Sequence, residues 1–288
     1  LVLIYDFVEQ KDYLYGLFFL SIFIIGLFAD FKLFNNPKLR LLTQISILIF
    51  FFYFLDIKIP STRIEIIDIL FENDFINYSF TVFCLAILIN GSNFVDGINT
   101  LLINYYIIVL GLILLFLNDM NIDQYFVINL FSLLIIILLF NVFGQIILGD
   151  SGAYILSLFI GLILIELPKE NNLISPYFVI LLIWYPCFEL LFSMIRRLMF
   201  NLYSYKPDTM HLHQMILKII SNNLKLKSNN LNHFLAASTI NLYNLFILMF
   251  SLNYNDKTNI MLALIILNIT VYILIYFVLK KKLKLIQS

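Results

Sequence analysis

The chain has 288 residues, 62% hydrophobic and only 12% charged, with a formal net charge of zero. A soluble domain carries roughly 45–50% apolar and about 25% charged residues, so no single globular core could hide this excess, and lipid must solvate much of it. The zero balance argues against nucleic acid as a partner. Cys84 and Cys187 both sit inside apolar runs, which argues against a disulfide framework.

A spanning helix needs about 20 apolar residues at 1.5 Å rise each. The sequence predicts an all-α fold, a polytopic transmembrane helical bundle forming one membrane domain over 1–288. Its nine candidate spans are 13–28, 41–55, 80–89, 98–117, 125–143, 153–167, 174–194, 234–252 and 260–279, the third being short and able to borrow 75–79. The first residue is Leu1, not Met, so an amino-terminal part is expected to be missing. No soluble domain of useful size and no internal repeat stands out.

Orientation follows from the basic residues. With the 30–40 loop cytoplasmic, alternation puts thirteen of the 18 Lys and Arg inside and leaves only Lys11, Lys58, Arg63, Lys169 and Lys257 outside. The run 280–284 then faces an anionic lipid surface. The acids run the other way: only Asp30, Asp96, Asp150, Glu189 and Asp208 lie inside, each at or near a predicted helix end. Polar groups at membrane depth are costly and usually functional. Several helices are thus expected to bring carboxylates to one face.

Asp30 closes the first predicted helix, and Lys38 and Arg40 open the second. Plain positive-inside topology also accounts for this basic pair. The next segment holds Asn90, Asn93, Asp96, Gly97 and Asn99. Asn93, Asp96 and Asn99 are three apart, so a helical turn would set them side by side. Such oxygen ligands suit Mg²⁺ and hydrogen bonds to a base or sugar. A helix-capping turn would need one such residue, not five.

Gly149, Asp150, Ser151 and Gly152 come next. The glycines let backbone approach a ligand closely, and the helix starting here attracts phosphate. Asp150 would repel phosphate unless a cation lay between, which implies Mg²⁺ bridging carboxylate and diphosphate oxygens. Alternatively, Asp150 or Ser151 is a plain N-cap. The last group is Glu189, Arg196, Arg197, Asp208, His211 and His213. Alternation turns both imidazoles the same way if the stretch is extended. The remote cysteines leave a zinc site incomplete, so anion binding by His and Arg fits better. The arginine pair is otherwise a membrane anchor, and His233 is assigned to the surface.

These pieces, in this order and spacing from about Gly26 to His213, resemble the polyprenyl-phosphate N-acetylhexosamine-1-phosphate transferases (glycosyltransferase family 4). That group starts O-antigen and teichoic acid linkage and includes phospho-MurNAc-pentapeptide transferase. Its Asn-x-x-Asn-x-x-Asp-Gly pattern is matched by Asn90, Asn93, Asp96 and Gly97. Gly-Asp-x-Gly is matched by Gly149, Asp150 and Gly152, and the His-x-His loop by Asp208, His211 and His213.

The resemblance implies eleven spans, the last nine present here, in a bacterial plasma membrane with the site on the cytoplasmic face. It implies a UDP-sugar donor such as UDP-GlcNAc, undecaprenyl phosphate as acceptor, release of UMP, and Mg²⁺ (or Mn²⁺) as cofactor, and it leaves room for a homodimer. By resemblance, Asp150 binds the metal with Asn93 as second ligand, and Asp96 and Asn99 face uridine or ribose. His211 and His213 hold diphosphate or sugar, and Arg40 or Lys38 steadies the lipid phosphate. The family also departs from this chain: it has paired acids at Ala29-Asp30, Asp-Gly at Asn99-Thr100, an aromatic at Ile147 and aspartate at Glu189. The competing readings are the peptidoglycan transferase, a secondary transporter and an inactive homologue.

Overall fold

The structure is a computed structural model that describes residues 12–116, 123–199, 210–224 and 228–287. Asp208 lies outside the described residues. All regular structure among them is helical: α1 Asp12–Asp30, α2 Pro37–Leu55, α3 Glu65–Phe71, α4 Asp74–Val95, α5 Leu101–Leu114, α6 Gln124–Val142, α7 Gly149–Glu170, α8 Pro176–Leu182, α9 Trp184–Met199, α10 Leu212–Leu224, α11 Asn229–Leu252 and α12 Thr258–Gln287.

Seven of these are long and apolar enough to cross a membrane, and the bent pair α8–α9 makes eight if counted as one span. The protein is a multi-pass membrane protein. Bulky side chains such as Phe50, Tyr53, Phe54, Phe277 and Val278 stay exposed on the outside of the bundle, as a lipid solvent permits. Of the nine expected spans, 98–117 falls short. Its helix α5 has 14 residues, about 21 Å against a hydrocarbon core of about 30 Å.

The short expected span at 80–89 is instead a 22-residue helix. Hydropathy cuts it at polar residues whose side chains are satisfied within the helix. Ser79 donates to Phe75 O, Thr81 to Asn77 O, Asn90 to Ala86 O and Ser92 to Leu88 O, at 2.6–2.8 Å. Helix starts are more legible. Asn36, Asn73, Asp123 and Ser175 each accept backbone N–H bonds from the first turn that follows, and Pro37 and Pro176 sit where no donor is needed.

The expected continuous span 174–194 is broken by 73° between α8 and α9. Pro186 supplies no N–H, which leaves the carbonyl four residues back without its helical partner. That carbonyl belongs to Leu182, and the buried Tyr105 hydroxyl donates to it at 2.9 Å. The break is therefore paired from another helix, as membrane interiors require.

α4 is the centre of the bundle and packs on α2, α7 and α9, while α1 lies along α7. Two glycines permit this closeness. A Cβ on Gly91 would strike the Pro186 carbonyl, and one on Gly26 would strike the Ser151 backbone. The first brings the end of α4 against the break, and the second fixes α1 to the start of α7.

Candidate active site

The start of α7 is capped by another helix. Asp30, the last residue of α1, accepts from Asp150 N at 2.8 Å, Ser151 N at 3.0 Å and Ser151 Oγ at 2.6 Å. Neither Asp150 nor Ser151 caps its own helix, which overturns the local N-cap alternative. Gly149 has φ +70°, and its missing Cβ would lie 2.9 Å from Asp30 Oδ1. Only glycine combines that backbone with that contact. Gly152 makes room for the Leu148 side chain.

Freed from capping, Asp150 meets Arg40 Nη1 at 2.5 Å and the Asn93 side chain. The Arg40 guanidinium also lies 5.9 Å from the Tyr154 ring centroid. Asp96 follows the last residue of α4 and takes the Gly149 N–H. Burial pushes its carboxyl up to about 8 despite that bond, and the nearby charges of Asp150 and Asp30 add to the rise. Three carboxyl groups from three helices thus share one small region, with Arg40 paired to that of Asp150. The expectation that acids converge on one face is met here for Asp30, Asp96 and Asp150.

The other side of the same turn meets the histidines. The His211 and His213 rings stack with centroids 5.4 Å apart and planes 11° apart. The alternation does turn them the same way, although His213 is already in α10 rather than in an extended loop. Phe94 stands edge-on to His211 at 5.1 Å, and the Arg197 guanidinium lies 5.9 Å from the Phe94 ring. Gly97 lies over His213, a Cβ there being 3.4 Å from Nε2. Both ring nitrogens of His213 are buried without a hydrogen-bond partner. Burial pushes this ring down to about 4, against the pull of Glu189 and with the push of His211, so it is neutral at pH 7. An unpaired buried imidazole is costly unless something else completes it. Arg196 and Arg197 are 6% and 7% exposed, so they are more than surface anchors.

Other expected residues lie elsewhere. Lys38 is exposed on the first turn of α2. Asn90 donates to Gln44 at 3.0 Å, inside the bundle. Asn99 does not share a helical turn with Asn93 and Asp96, because α4 stops at Val95 and Thr100 takes φ +70°. Its N–H points to His233 Nδ1 at 3.4 Å. His233, expected on the surface, therefore braces this loop. Asn141 is a further structural residue that sequence reasoning misses. It accepts Thr100 N–H at 2.5 Å and donates to Ile146 O at 2.7 Å, joining the 96–100 and 143–148 loops. An asparagine inside an apolar run is the available signal. Tyr272, bonded to Glu189, carries none among 17 tyrosines.

Among the described residues no three His, Cys, Asp or Glu converge closely enough to cage a metal. The donors that do meet, Asp150 and Asn93, are oxygen-bearing, and the Asp96 carboxyl lies nearby on Gly149 N–H. That suits Mg²⁺, which takes one or two carboxylates and completes its shell with water and substrate phosphate. In comparison with known proteins, the sequence model of glycosyl transferase family 4 matches residues 13–168. No curated protein matches the chain.

Proposed function

The chain belongs to glycosyl transferase family 4, and from that premise we propose that it transfers a sugar 1-phosphate from a UDP-sugar to undecaprenyl phosphate. The sugar is an N-acetylhexosamine such as GlcNAc. An acceptor phosphate oxygen bonds to the β-phosphorus, the bridge to the α-phosphorus breaks, and UMP leaves with the bridging oxygen. The product is a lipid diphosphate sugar, the first unit of a cell-envelope polysaccharide. The site faces the cytoplasm of a bacterial cell, where UDP-sugars are made.

One observation carries this reading. The turn that ends α4 has carboxylates and Arg40 on one side and the stacked histidines with Arg197 on the other. A diphosphate needs such mixed surroundings, with basic groups for its oxygens and carboxylates for its counter-cation. Asp150 and Asn93 would hold Mg²⁺ (or Mn²⁺). The bound ion would neutralise charge on the diphosphate.

Arg40 and Arg197 bring permanent positive charge, and His211, when protonated at Nε2, donates to an anionic oxygen. Asp30 is not needed as a base, since its oxygens already hold three donors. A phosphate monoester has a second pKa of about 6, so the acceptor is ionised at neutral pH.

The test uses membranes holding the full-length parent protein, radiolabelled UDP-GlcNAc and undecaprenyl phosphate with Mg²⁺. Label in the lipid together with UMP, abolished by EDTA, is the expected result. Release of UDP instead would mean ordinary glycosyl transfer and would overturn the proposal. No label with any UDP-N-acetylhexosamine would favour an inactive homologue.

A further inference from the structure

Glu189 is fully buried, yet each of its oxygens has a polar partner. Oε1 accepts from His211 Nδ1 at 2.9 Å and from Leu212 N at 3.4 Å. Oε2 accepts from the Tyr272 hydroxyl at 2.8 Å and lies 4.0 Å from His213 Nδ1. Ser193, one turn further along α9, places Oγ 3.2 Å from the same His211 nitrogen. The Tyr272 ring is itself wedged edge-on against Phe188 and Phe192. The carboxylate is thus fixed from α9, α10 and α12 together.

We infer that Glu189 and Tyr272 form a positioning pair that locks the His211 ring with Nδ1–H toward Glu189 and Nε2 toward the substrate. A carboxylate accepts and cannot donate while ionised, so the nitrogen facing it must carry the proton. An unrestrained histidine in water prefers Nε2–H, so this tautomer has to be imposed. The pair would also make α12, which lies beyond the 13–168 family match, a working part of the site. Tyr276, one turn after Tyr272, lies 5.9 Å from the Arg196 guanidinium and extends the same contact. Neither Glu189 nor Tyr272 touches the reacting atoms, so both act through His211. With Nδ1–H held by Glu189, a second proton on the ring sits on Nε2 and is donated to the substrate; that this partner is a diphosphate oxygen rests on the function proposed above.

The experiment has a spectroscopic arm and a kinetic arm. These 288 residues hold three histidines, so ¹⁵N-histidine labelling of the protein in bilayers reads few imidazoles, with His211→Gln to assign the signal of His211. His211 is expected as the Nδ1–H tautomer at alkaline pH. Glu189→Leu should release it to Nε2–H, and Glu189→Gln, whose amide oxygen still accepts, should keep it. In the transfer assay, loss of a bond to a buried charged group predicts that kcat falls about ten- to a hundredfold in Glu189→Leu, with donor KM unchanged and Glu189→Gln partly restored. Tyr272→Phe should lower kcat less and add nothing in the Glu189→Leu background. A wild-type His211 that shows Nε2–H overturns the inference, even if Glu189→Leu fails to fold. So does a folded Glu189→Leu with unchanged tautomer and kcat. If the wild type transfers no sugar phosphate, the proposed function fails alone, because the tautomer still decides the positioning.

Discussion

Replacing Asp30 by Ala tests whether this carboxylate is a base or a helix cap. In the structure it receives two backbone N–H groups and one hydroxyl from the start of α7. A side-chain cap is worth about 0.5–2 kcal/mol, the charge at a helix start about 0.3–1 kcal/mol, and one further hydrogen bond about 1 kcal/mol. Asp30 is exposed to water, so the lower parts of these ranges apply, and Asp30→Ala should cost about 2 kcal/mol. At about 2–4 °C per kcal/mol for a chain of this size, Tm falls by about 4–8 °C. Thermal unfolding in detergent reads this directly. Transfer by the surviving folded fraction should be reduced but measurable, because the acceptor phosphate is already ionised. An unchanged Tm with transfer abolished would refute the capping argument and return Asp30 to the chemistry.

Other variants probe the remaining contacts. Gly149→Ala must put a side chain at φ +70° and against Asp30 Oδ1; the backbone alone costs about 1–2 kcal/mol, and the loss should not add fully to that of Asp30→Ala. Asp96 has a folded pKa raised from 3.8 to about 8, so the folded state holds its proton more tightly. Stability is then fully present at acid pH and is lost as pH rises between about 4 and 8, by about 1.4 kcal/mol per unit. Asp96→Asn should flatten that dependence in thermal melts, and an equal slope in both proteins would count against the buried carboxyl. Tyr105→Phe removes the partner of Leu182 O at the α8–α9 break, with an expected loss of about 1–3 kcal/mol in chemical or thermal unfolding. Asp150→Asn should abolish transfer at limiting Mg²⁺, and intact transfer there would remove it from the proposed metal site.

Composition alone decides that lipid is the solvent, and local pattern decides most helix starts. Asn36, Asn73, Asp123 and Ser175 are legible because a cap acts on the next three residues. The Asn-x-x-Asn-x-x-Asp-Gly and Gly-Asp-x-Gly patterns also mark both sides of the Asp96–Gly149 contact. Long-range pairing is not legible. Asp30 and Ser151 are 121 residues apart along the chain, and Glu189 and Tyr272 are 83 apart; hydropathy carries no information about which polar groups meet. The extent of α4 is misjudged because polar side chains that bond to their own helix look like a boundary in sequence. The break at Ile183 is hidden because its cost is offset by Tyr105 from another helix. The sequence by itself determined a membrane bundle and the chemical types gathered at one end. Only the tertiary structure decided which carboxylate caps a helix, which one pairs with Arg40 and which histidine is held, because those outcomes depend on distances between helices.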